Sequence, residues 1–402
     1  MSEKRRDNKG RILKTGESQR KDGRYLYKYI DSFGEPQFVY SWKLVATDRV
    51  PAGKRDCISL REKIAELQKD IHDGIDVVGK KMTLCQLYAK QNAQRPKVRK
   101  NTETGRKYLM DILKKDKLGV RSIDSIKPSD AKEWAIRMSE NGYAYQTINN
   151  YKRSLKASFY IAIQDDCVRK NPFDFQLKAV LDDDTVPKTV LTEEQEEKLL
   201  AFAKADKTYS KNYDEILILL KTGLRISEFG GLTLPDLDFE NRLVNIDHQL
   251  LRDTEIGYYI ETPKTKSGER QVPMVEEAYQ AFKRVLANRK NDKRVEIDGY
   301  SDFLFLNRKN YPKVASDYNG MMKGLVKKYN KYNEDKLPHI TPHSLRHTFC
   351  TNYANAGMNP QYIMGHANIA MTLNYYAHAT FDSAMAEMKR LNKEKQQERL
   401  VA

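Results

Sequence analysis

The sequence predicts a multidomain chain that is mainly α with α+β parts: a small three-stranded sheet plus one helix, a helical domain, and a mixed α+β domain. Three observations lead to this prediction. The 402 residues exceed what one hydrophobic core usually serves. The apolar pattern has a period of two near the N-terminus and a helical period after it. Two polar breaks set the predicted domains at residues 1–74, 80–180 and 187–395.

The first predicted domain begins with alternating aromatic residues. They recur at every second position over residues 25–30 and again over 38–43, with a glycine-containing turn signal before each run. Ser59 and Glu62 then form an S-x-x-E capping box, which predicts a helix that ends near His72. A small antiparallel sheet of about three strands packed on one helix follows from these signals.

The second predicted domain is helical and lies between the two polar breaks. The first break is at residues 73–81, and the second is the run of three aspartates and a proline at 182–187. Apolar spacings of three and four residues predict the intervening helices over residues 83–93, 102–115, 129–141 and 146–165.

The charge of the chain favours a polyanionic partner, with nucleic acid ahead of a membrane. There are 71 Lys+Arg against 55 Asp+Glu, a net charge of +16, and the pI is about 9.3. The net charge is +5 over residues 1–74, +8 over 75–186 and +3 over the remainder, so the first half is the basic half. The competing interpretation is a solvated surface, since 31% of the residues are charged.

Basic residues in the first two domains are the candidates for contact with DNA. An exposed face of the basic, aromatic-rich sheet could read DNA, and a basic helical domain could clamp the phosphate backbone. The alternatives are that the aromatic residues fill a small core and that the lysines only solvate the helices. The candidate DNA-binding residues are Arg20, Lys21, Arg24, Lys28, Lys97, Arg99, Lys100 and Arg106.

Neither a metal nor a cofactor is expected. The four cysteines form no C-x-x-C pair, which disfavours a zinc site and a disulfide framework. His343 and His347 have a spacing that can bind zinc, but no Glu follows His343 and no third ligand is near in sequence. No apolar run reaches membrane length, so we expect a reducing, cytoplasmic location without a membrane partner.

The third predicted domain opens with a helix capped by Thr192 and Gln195. An apolar helix over residues 213–221 leads into T-G-L-R-I-S-E, in which glycine ends one helix and Arg225 opens the next. Strands are predicted at 244–246 and 257–260, followed by a lysine-rich loop that ends in Val-Pro at Pro273.

Four groups suited to phosphodiester chemistry lie within residues 339–378. His343 and Arg346 are three apart and share one helical face, and His366 and Tyr376 come after them. They supply cations, proton carriers and an oxygen nucleophile, which suffice to attack a phosphodiester without a metal. Any one histidine could instead be a core residue. The adjacent Tyr375 is the alternative nucleophile.

The motifs H-x-x-R, G-H and Y-x-H, together with T-G-L-R-x-S-E, resemble those of the tyrosine recombinases, the phage integrase family. The resemblance is greatest to the integrases of Gram-positive conjugative transposons. It implies a site-specific recombinase that integrates and excises a mobile element through a 3′-phosphotyrosine and a Holliday junction. It also implies a helical core-binding domain, double-stranded DNA bound at arm and core sites, a homo-tetramer, and a small excision factor as a partner.

The resemblance also assigns site residues. A catalytic lysine on a β-hairpin, seven residues before the proline, corresponds to Lys266, with Lys264 as the alternative. Y-x-H selects Tyr376 as the nucleophile. The catalytic set is then Arg225, Lys266, His343, Arg346, His366 and Tyr376.

One segment departs from the family pattern. Only seven residues separate Gly357 from Gly365, three fewer than relatives usually have. Two other functions stay open: a type IB topoisomerase, which uses similar chemistry, and a non-catalytic DNA-binding protein on the same scaffold. A separate N-terminal DNA-binding module and a tetramer would favour the recombinase over the topoisomerase.

Overall fold

The structure is a computed structural model, and it describes residues 4–31, 34–96, 98–185, 189–263, 265–289, 295–356 and 360–365. The chain divides into two compact units, residues 1–186 and 187–402. The further boundary that the sequence predicts near residue 75, inside the first unit, stays a prediction.

The first unit starts with an antiparallel sheet and one helix. The strands, in the order β1-β2-β3, are β1 (Glu17–Gln19), β2 (Tyr25–Ile30) and β3 (Pro36–Ser41), and the helix is α1 (Leu60–His72). Ser59 accepts a hydrogen bond from the backbone N–H of Glu62, so the capping box forms as predicted. The prediction of a three-stranded sheet with one helix is confirmed.

The aromatic residues of this sheet divide between its two faces. Tyr25 of β2 is buried in a small core with Leu44 and Leu60, whereas Phe38 and Tyr40 of β3 are exposed. Side chains alternate along a strand, so the opposite face of the sheet carries the β3 rings. The core interpretation is therefore confirmed for Tyr25, and contact of the exposed β3 rings with DNA stays a prediction.

Four helices complete the first unit: α2 (Leu84–Ala93), α3 (Lys100–Lys115), α4 (Pro128–Glu140) and α5 (Tyr145–Gln164). Trp134 and Phe173 meet edge to face in their core, and Phe159 and Leu113 are buried beside them. The four helices predicted in this region are confirmed, with ends that differ by one or two residues.

The second unit is mixed α+β, as predicted. Its helices are α6 (Glu193–Ala205), α7 (Tyr213–Thr222), α8 (Ile226–Gly231), α9 (Glu276–Ala287), α10 (Ala315–Tyr332), α11 (Pro342–Asn355) and α12 (Gln361–Met364). Its strands are β4 (Leu237–Asp238), β5 (Leu243–Ile246), β6 (Gln249–Asp253), β7 (Gly257–Glu261) and β8 (Arg270–Pro273). Helix α7 is apolar almost all round, as expected for a central helix, with Ile216, Ile218 and Leu220 all buried.

The strands of the second unit form two separate sheets. One has the order β4-β5-β8, and the other is the β6-β7 hairpin. The expectation that Lys266 lies on a β-hairpin is therefore wrong, because β7 pairs with β6 and β8 pairs with β5. Strand β6 was not predicted from the sequence.

No helix within the described ranges combines the length and the apolar run needed to cross a membrane.

Candidate active site

Arg225 is fixed at a junction between two helices. Helix α7 ends at Gly223, whose φ of +62° is in the left-handed region that favours glycine. A methyl group on Gly223 would lie 2.3 Å from Phe349 Cδ1, so a side chain is also excluded by contact. Arg225 is the N-cap of α8, and its backbone N–H donates to Glu228 Oε2 at 2.8 Å. The junction predicted from T-G-L-R thus forms as expected.

Helix α11 brings Arg346 to the same place. The helix begins with Thr341 as N-cap, Pro342 in its first turn and a capping box to Ser344. Arg346 is only 4% exposed, and its Nη1 donates to the carbonyl of Gly223. The H-x-x-R arginine and the T-G-L-R turn therefore meet, although 123 positions separate Arg346 from Gly223 in the sequence.

Three guanidinium groups converge on the end of the single-turn helix α12. Arg346 Nη2 donates to the carbonyl of Met364, Arg225 Nη2 donates to Gly365 at 3.1 Å, and Arg270 Nε donates to Ile363 at 2.6 Å. The last carbonyls of a helix have no partner within the helix and carry partial negative charge, which explains why cations collect there.

Gly365 permits this convergence. It ends α12 in the left-handed conformation with a φ of +59°. A methyl group at this position would lie 2.8 Å from the carbonyl oxygen of Ser267 and 3.1 Å from Arg270 Nη1. The backbone therefore needs glycine here both for its conformation and for its close approach to the loop of Lys266.

A buried ion pair supports Arg225. Glu228 is 4% exposed and accepts from Arg225 Nη1 at 2.7 Å and from Arg270 Nη2 at 2.8 Å. Burial alone raises the pKa of Glu228, but the hydrogen bonds from Arg270 and the charges of Arg225 and Arg346 outweigh burial and lower the pKa to about 2. Glu228 is thus a carboxylate at neutral pH.

Glu228 and Arg270 are residues of the site that were not predicted from the sequence. Both lie inside motifs that were recognised, Glu228 at the end of T-G-L-R-I-S-E and Arg270 three residues before Pro273. Their separation of 42 positions gives no local signal that they pair. Glu228 stands directly before the run F-G-G-L, which is a hint of burial, whereas Arg270 lies in a lysine-rich loop that offers none.

Lys266 is exposed on a 3₁₀ turn that connects β7 to β8. Gly268 closes this turn against Pro263, and the carbonyl of Gly268 accepts from Arg270 Nη1 at 3.0 Å. The tip of the loop is thus solvent-facing, while its base is tied to the buried ion pair. Lys264, the alternative lysine, lies outside the described residues.

His343 is exposed at the start of α11, and His347 is buried one turn later. Their rings are 5.1 Å apart and nearly perpendicular. The exposure of His343 excludes the core-residue interpretation for this histidine. His366, Tyr375 and Tyr376 lie outside the described residues, so their positions relative to the arginines stay predictions.

Four candidate DNA-binding residues lie in or next to the N-terminal sheet: Arg20, Lys21, Arg24 and Lys28. Lys21 and Lys28 are exposed. Arg20 and Arg24 each hold their guanidinium 5.6 Å from the ring centre of Tyr40, and Arg24 is also 5.7 Å from Trp42. We call this basic and aromatic surface, made by Arg20, Arg24, Tyr40 and Trp42, the sheet face.

The candidates of the helical domain are less exposed than the sequence suggests. Arg99 and Lys100 are half-buried at the start of α3, and Arg106 is half-buried within it. Arg106 Nε is enclosed and has no hydrogen-bond partner among the described residues. Lys97 lies outside the described residues.

Asp236, Asp247 and His248 are the described residues that come nearest to a metal-ligand arrangement. His248 Nδ1 lies 2.5 Å from Asp247 Oδ1, and Nε2 lies 2.7 Å from the carbonyl of Gly231. Both ring nitrogens are engaged, so His248 as it stands offers no lone pair to a metal ion.

Two family patterns match the chain. The Phage integrase family matches residues 189–383, and the DNA-binding domain of Tn916 integrase matches residues 1–71. The transposase from transposon Tn916 of Enterococcus faecalis is 99% identical, and the alignment covers all of both chains. That alignment spans 405 positions, three more than the residues of this chain.

Two solved structures of the Tn1549 transposon integrase are similar to this one. A form with R225K, in complex with a circular intermediate DNA, is 65% identical with a TM-score of 0.73, over 77% of this chain and 99% of that one. A form in complex with transposon right end DNA is 64% identical with the same TM-score, over 77% of this chain and 100% of that one. In the latter a tyrosine, numbered three higher than Tyr376 here, is replaced by phenylalanine.

Proposed function

This chain belongs to the phage integrase family of tyrosine recombinases, and we propose that it integrates and excises a conjugative transposon by cutting and rejoining DNA at specific sites. The relatives at 64–65% identity are described with transposon right end DNA and with circular intermediate DNA. These are the two DNA forms that integration and excision interconvert. We infer that this chain acts on the corresponding DNA of its own element, in the cytoplasm.

The observation that supports this function best is the convergence of Arg225 and Arg346 on neighbouring carbonyls. Two guanidinium forks that reach the oxygens of residues 364 and 365 can reach the non-bridging oxygens of one phosphate placed there. Negative charge develops on those oxygens during phosphoryl transfer. Groups fixed in advance by Glu228 and Gly223 stabilise that charge without reorganising.

The remaining groups complete the chemistry. Tyr376 attacks the phosphorus and forms a 3′-phosphotyrosine, while His343 takes its proton or donates to the same phosphate. His366 donates to another phosphate oxygen. The 5′ oxygen leaves with a proton from Lys266, whose exposed turn can reach a DNA backbone. The phosphotyrosine conserves the energy of the broken bond, so rejoining to a new strand needs no nucleotide or metal.

Lys266 as the proton donor makes a specific prediction. Replacing the 5′ bridging oxygen by sulfur gives a leaving group that needs no proton. Lys266→Ala should therefore cleave an ordinary substrate slowly and the sulfur-containing substrate at close to the parent rate. If the variant is equally slow on both substrates, Lys266 is not the acid.

Binding to DNA is divided between the parts of the chain in this proposal. Residues 1–74 bind arm sites, and the helical domain (80–180) and the catalytic domain (187–395) bind the crossover sites. The family pattern over residues 1–71 and the division of the chain at residue 187 support this arrangement. Strand exchange between two duplexes requires four active sites, so the working form is a tetramer that passes through a Holliday junction. A small excision factor would set the direction.

A DNA-binding form that does not cleave is the second candidate. Two observations favour it. The chain has three residues fewer than the alignment with its relative has positions. In addition, the Nη2 atoms of Arg225 and Arg346, which the mechanism assigns to phosphate, donate to backbone carbonyls in this structure.

A covalent-adduct assay separates the two candidates. The chain is incubated with site DNA that carries a nick next to the scissile phosphate, so that the released fragment diffuses away and the 3′-phosphotyrosine accumulates. A denaturing gel should show one shifted band with the parent and with Tyr375→Phe, and none with Tyr376→Phe. An adduct from Tyr376→Phe would move the nucleophile to Tyr375. Retention of DNA with no adduct from any form would establish the non-cleaving candidate.

A further inference from the structure

Arg270 is a buried arginine to which the proposed mechanism assigns no part. Its side chain is completely enclosed at the start of β8. Nε donates to the carbonyl of Ile363 at 2.6 Å, and Nη1 donates to Gly268 at 3.0 Å. Nη1 and Nη2 also form a fork on the two oxygens of Glu228, at 3.1 and 2.8 Å.

Each partner of Arg270 belongs to a segment that carries a site residue. Gly268 closes the turn of Lys266, and Glu228 holds the backbone and side chain of Arg225. Ile363 lies in α12, whose last residues accept from Arg225 and Arg346. One guanidinium thus joins three segments whose relative positions define the site.

We propose that Arg270 is a positioning residue for strand cleavage, which sets the Lys266 turn and the end of α12 against Arg225. This inference rests on the proposed function of those residues. Arg270 does not touch the phosphate in this proposal, because its side chain has no exposed surface. Its effect on the reaction passes through Glu228 and the two backbone carbonyls.

The groups that contact the Arg270 guanidinium have few alternative arrangements. A buried charge without partners is strongly destabilising, so Arg270 holds every group that it contacts in one arrangement. Lysine could satisfy the charge but not the fork on Glu228 together with two carbonyls in different directions. A buried ion pair adds little net stability compared with apolar packing. The role of the pair between Arg270 and Glu228 is therefore to fix one arrangement of the site rather than to stabilise the fold.

A purely stabilising role for Arg270 would have a different signature, since it would loosen the whole second unit when removed. Hydrogen exchange of the full chain distinguishes the two. The comparison is Arg270→Ala against Arg242→Ala, a matched control on an exposed arginine that also pairs with a glutamate, Glu276. Arg270→Ala should raise amide exchange in two separate segments, 265–269 and 361–365, and leave α7 and α9 protected.

Cleavage gives the second measurement. Misplacing reacting groups by about 1 Å costs about a hundredfold in rate. Arg270→Ala should therefore lose about a hundredfold in adduct formation on nicked DNA while its Kd for the site stays near that of the parent. Guanidinium ion, at concentrations well below those that unfold the chain, should restore about tenfold. Methylammonium should not, since it lacks the planar fork.

The outcomes separate this inference from the proposed function. If the parent forms no adduct, the proposed function fails, and the exchange experiment still decides the role of Arg270. Exchange that rises evenly across residues 189–356, or in only one of the two segments, would overturn the positioning role. So would a loss of rate that guanidinium leaves unchanged. If Arg270→Ala does not fold, Arg270→Lys replaces it, with the same two segments expected to loosen.

Discussion

Among the arginines of the candidate active site, Arg346 and Arg270 are buried and Arg225 is half-buried, and together they donate to a buried carboxylate and to backbone carbonyls. Those of the sheet face lie over the rings of Tyr40 and Trp42. Arg346 is 4% exposed and Arg270 is enclosed, while Arg20 is exposed beside Tyr40. Buried partners fix a guanidinium in one orientation. The sheet-face arginines are held instead by ring faces and by the exposed carboxylate of Asp22, which pairs with both Arg20 and Arg24, and such exposed partners hold a guanidinium less firmly.

The difference indicates two ways of using the same cation on DNA. A site for chemistry needs hydrogen-bond donors that are in place before charge develops in the transition state. The stabilisation of that charge outweighs the cost of desolvating the buried arginines. A surface for binding needs to track a phosphate backbone and to exchange one contact for another. Four changes test whether the active-site arginines are rigid and the sheet-face arginines are adaptable. They follow in order from the largest expected effect to the smallest.

The largest effect is expected for Arg225→Lys. Lysine keeps the charge but cannot fork on a phosphate while it also holds Glu228, so transition-state stabilisation is lost. Adduct formation on nicked site DNA should fall by about 10²–10³-fold, the cost of removing one fixed donor. Site affinity, measured by gel shift, should change little. The R225K form of the Tn1549 relative, which is described in complex with DNA, is consistent with retained binding. An equal loss of affinity and rate would show that Arg225 serves binding as much as chemistry.

Acid should weaken the buried ion pair that Glu228 forms with Arg225 and Arg270. The pKa of Glu228 is lowered from 4.5 to about 2, so its contribution to stability is present above about pH 4.5 and is lost as the pH falls toward 2. The shift corresponds to about 3 kcal/mol in the free energy of unfolding. Urea unfolding of the parent and of Glu228→Gln between pH 3 and 6 measures this. The two free energies should converge as the pH falls, and a constant difference would remove the buried carboxylate as the cause.

The segment before Gly365 gives the third prediction. Three residues amount to about 4.5 Å of helix and about 60° less than a full turn, so a chain that lacks them displaces the residues beyond Gly365. Inserting three helix-favouring residues between Pro360 and Gln361 should raise cleavage tenfold or more, with DNA binding unchanged. The same insertion after Glu334, in an exposed turn of the second unit, serves as the control. If the parent chain cleaves as fast as the extended chain, the short segment does not impair cleavage and this prediction is wrong.

The smallest effect is expected on the sheet face. Arg24→Ala removes a cation held over Tyr40 and Trp42, and it should weaken binding to arm-site DNA several-fold. The slope of log Kd against log salt concentration should fall by about one, as for one lost phosphate contact. Cleavage of a core site should not change. The matched control is Arg55→Ala, on an exposed arginine outside the sheet. If this control weakens DNA binding equally, the sheet face has no special part in binding.

The local parts of the site could be predicted from the sequence, and the parts made by distant contacts could not. The helix junction at Arg225 is predicted by local signals, the glycine and the capping pattern, and the resemblance to the recombinase motifs assigns Arg225 to the site. The hairpin expected for Lys266 was wrong, since strand pairing depends on which distant strand is available, and β6 was not anticipated. Glu228 and Arg270 were missed for the same reason. Their pairing results from the fold of the chain over a separation of 42 positions and from no pattern in either motif.

The contacts to the carbonyls of α12 also determine when the site can assemble during synthesis of the chain. The bonds that close the site join residues 140 positions apart for Arg225 and Gly365, and 93 apart for Arg270 and Ile363. During synthesis, N-terminal parts fold first, at about 5–20 residues per second. A nascent or truncated chain that ends before α12 therefore has the residues of the sheet face and of the ion pairs with Glu228, but lacks the carbonyls on which the three guanidinium groups converge. Under the proposed function, such a product would bind DNA through the sheet face but lack Tyr376, so cutting would become possible only after residue 376 has been added.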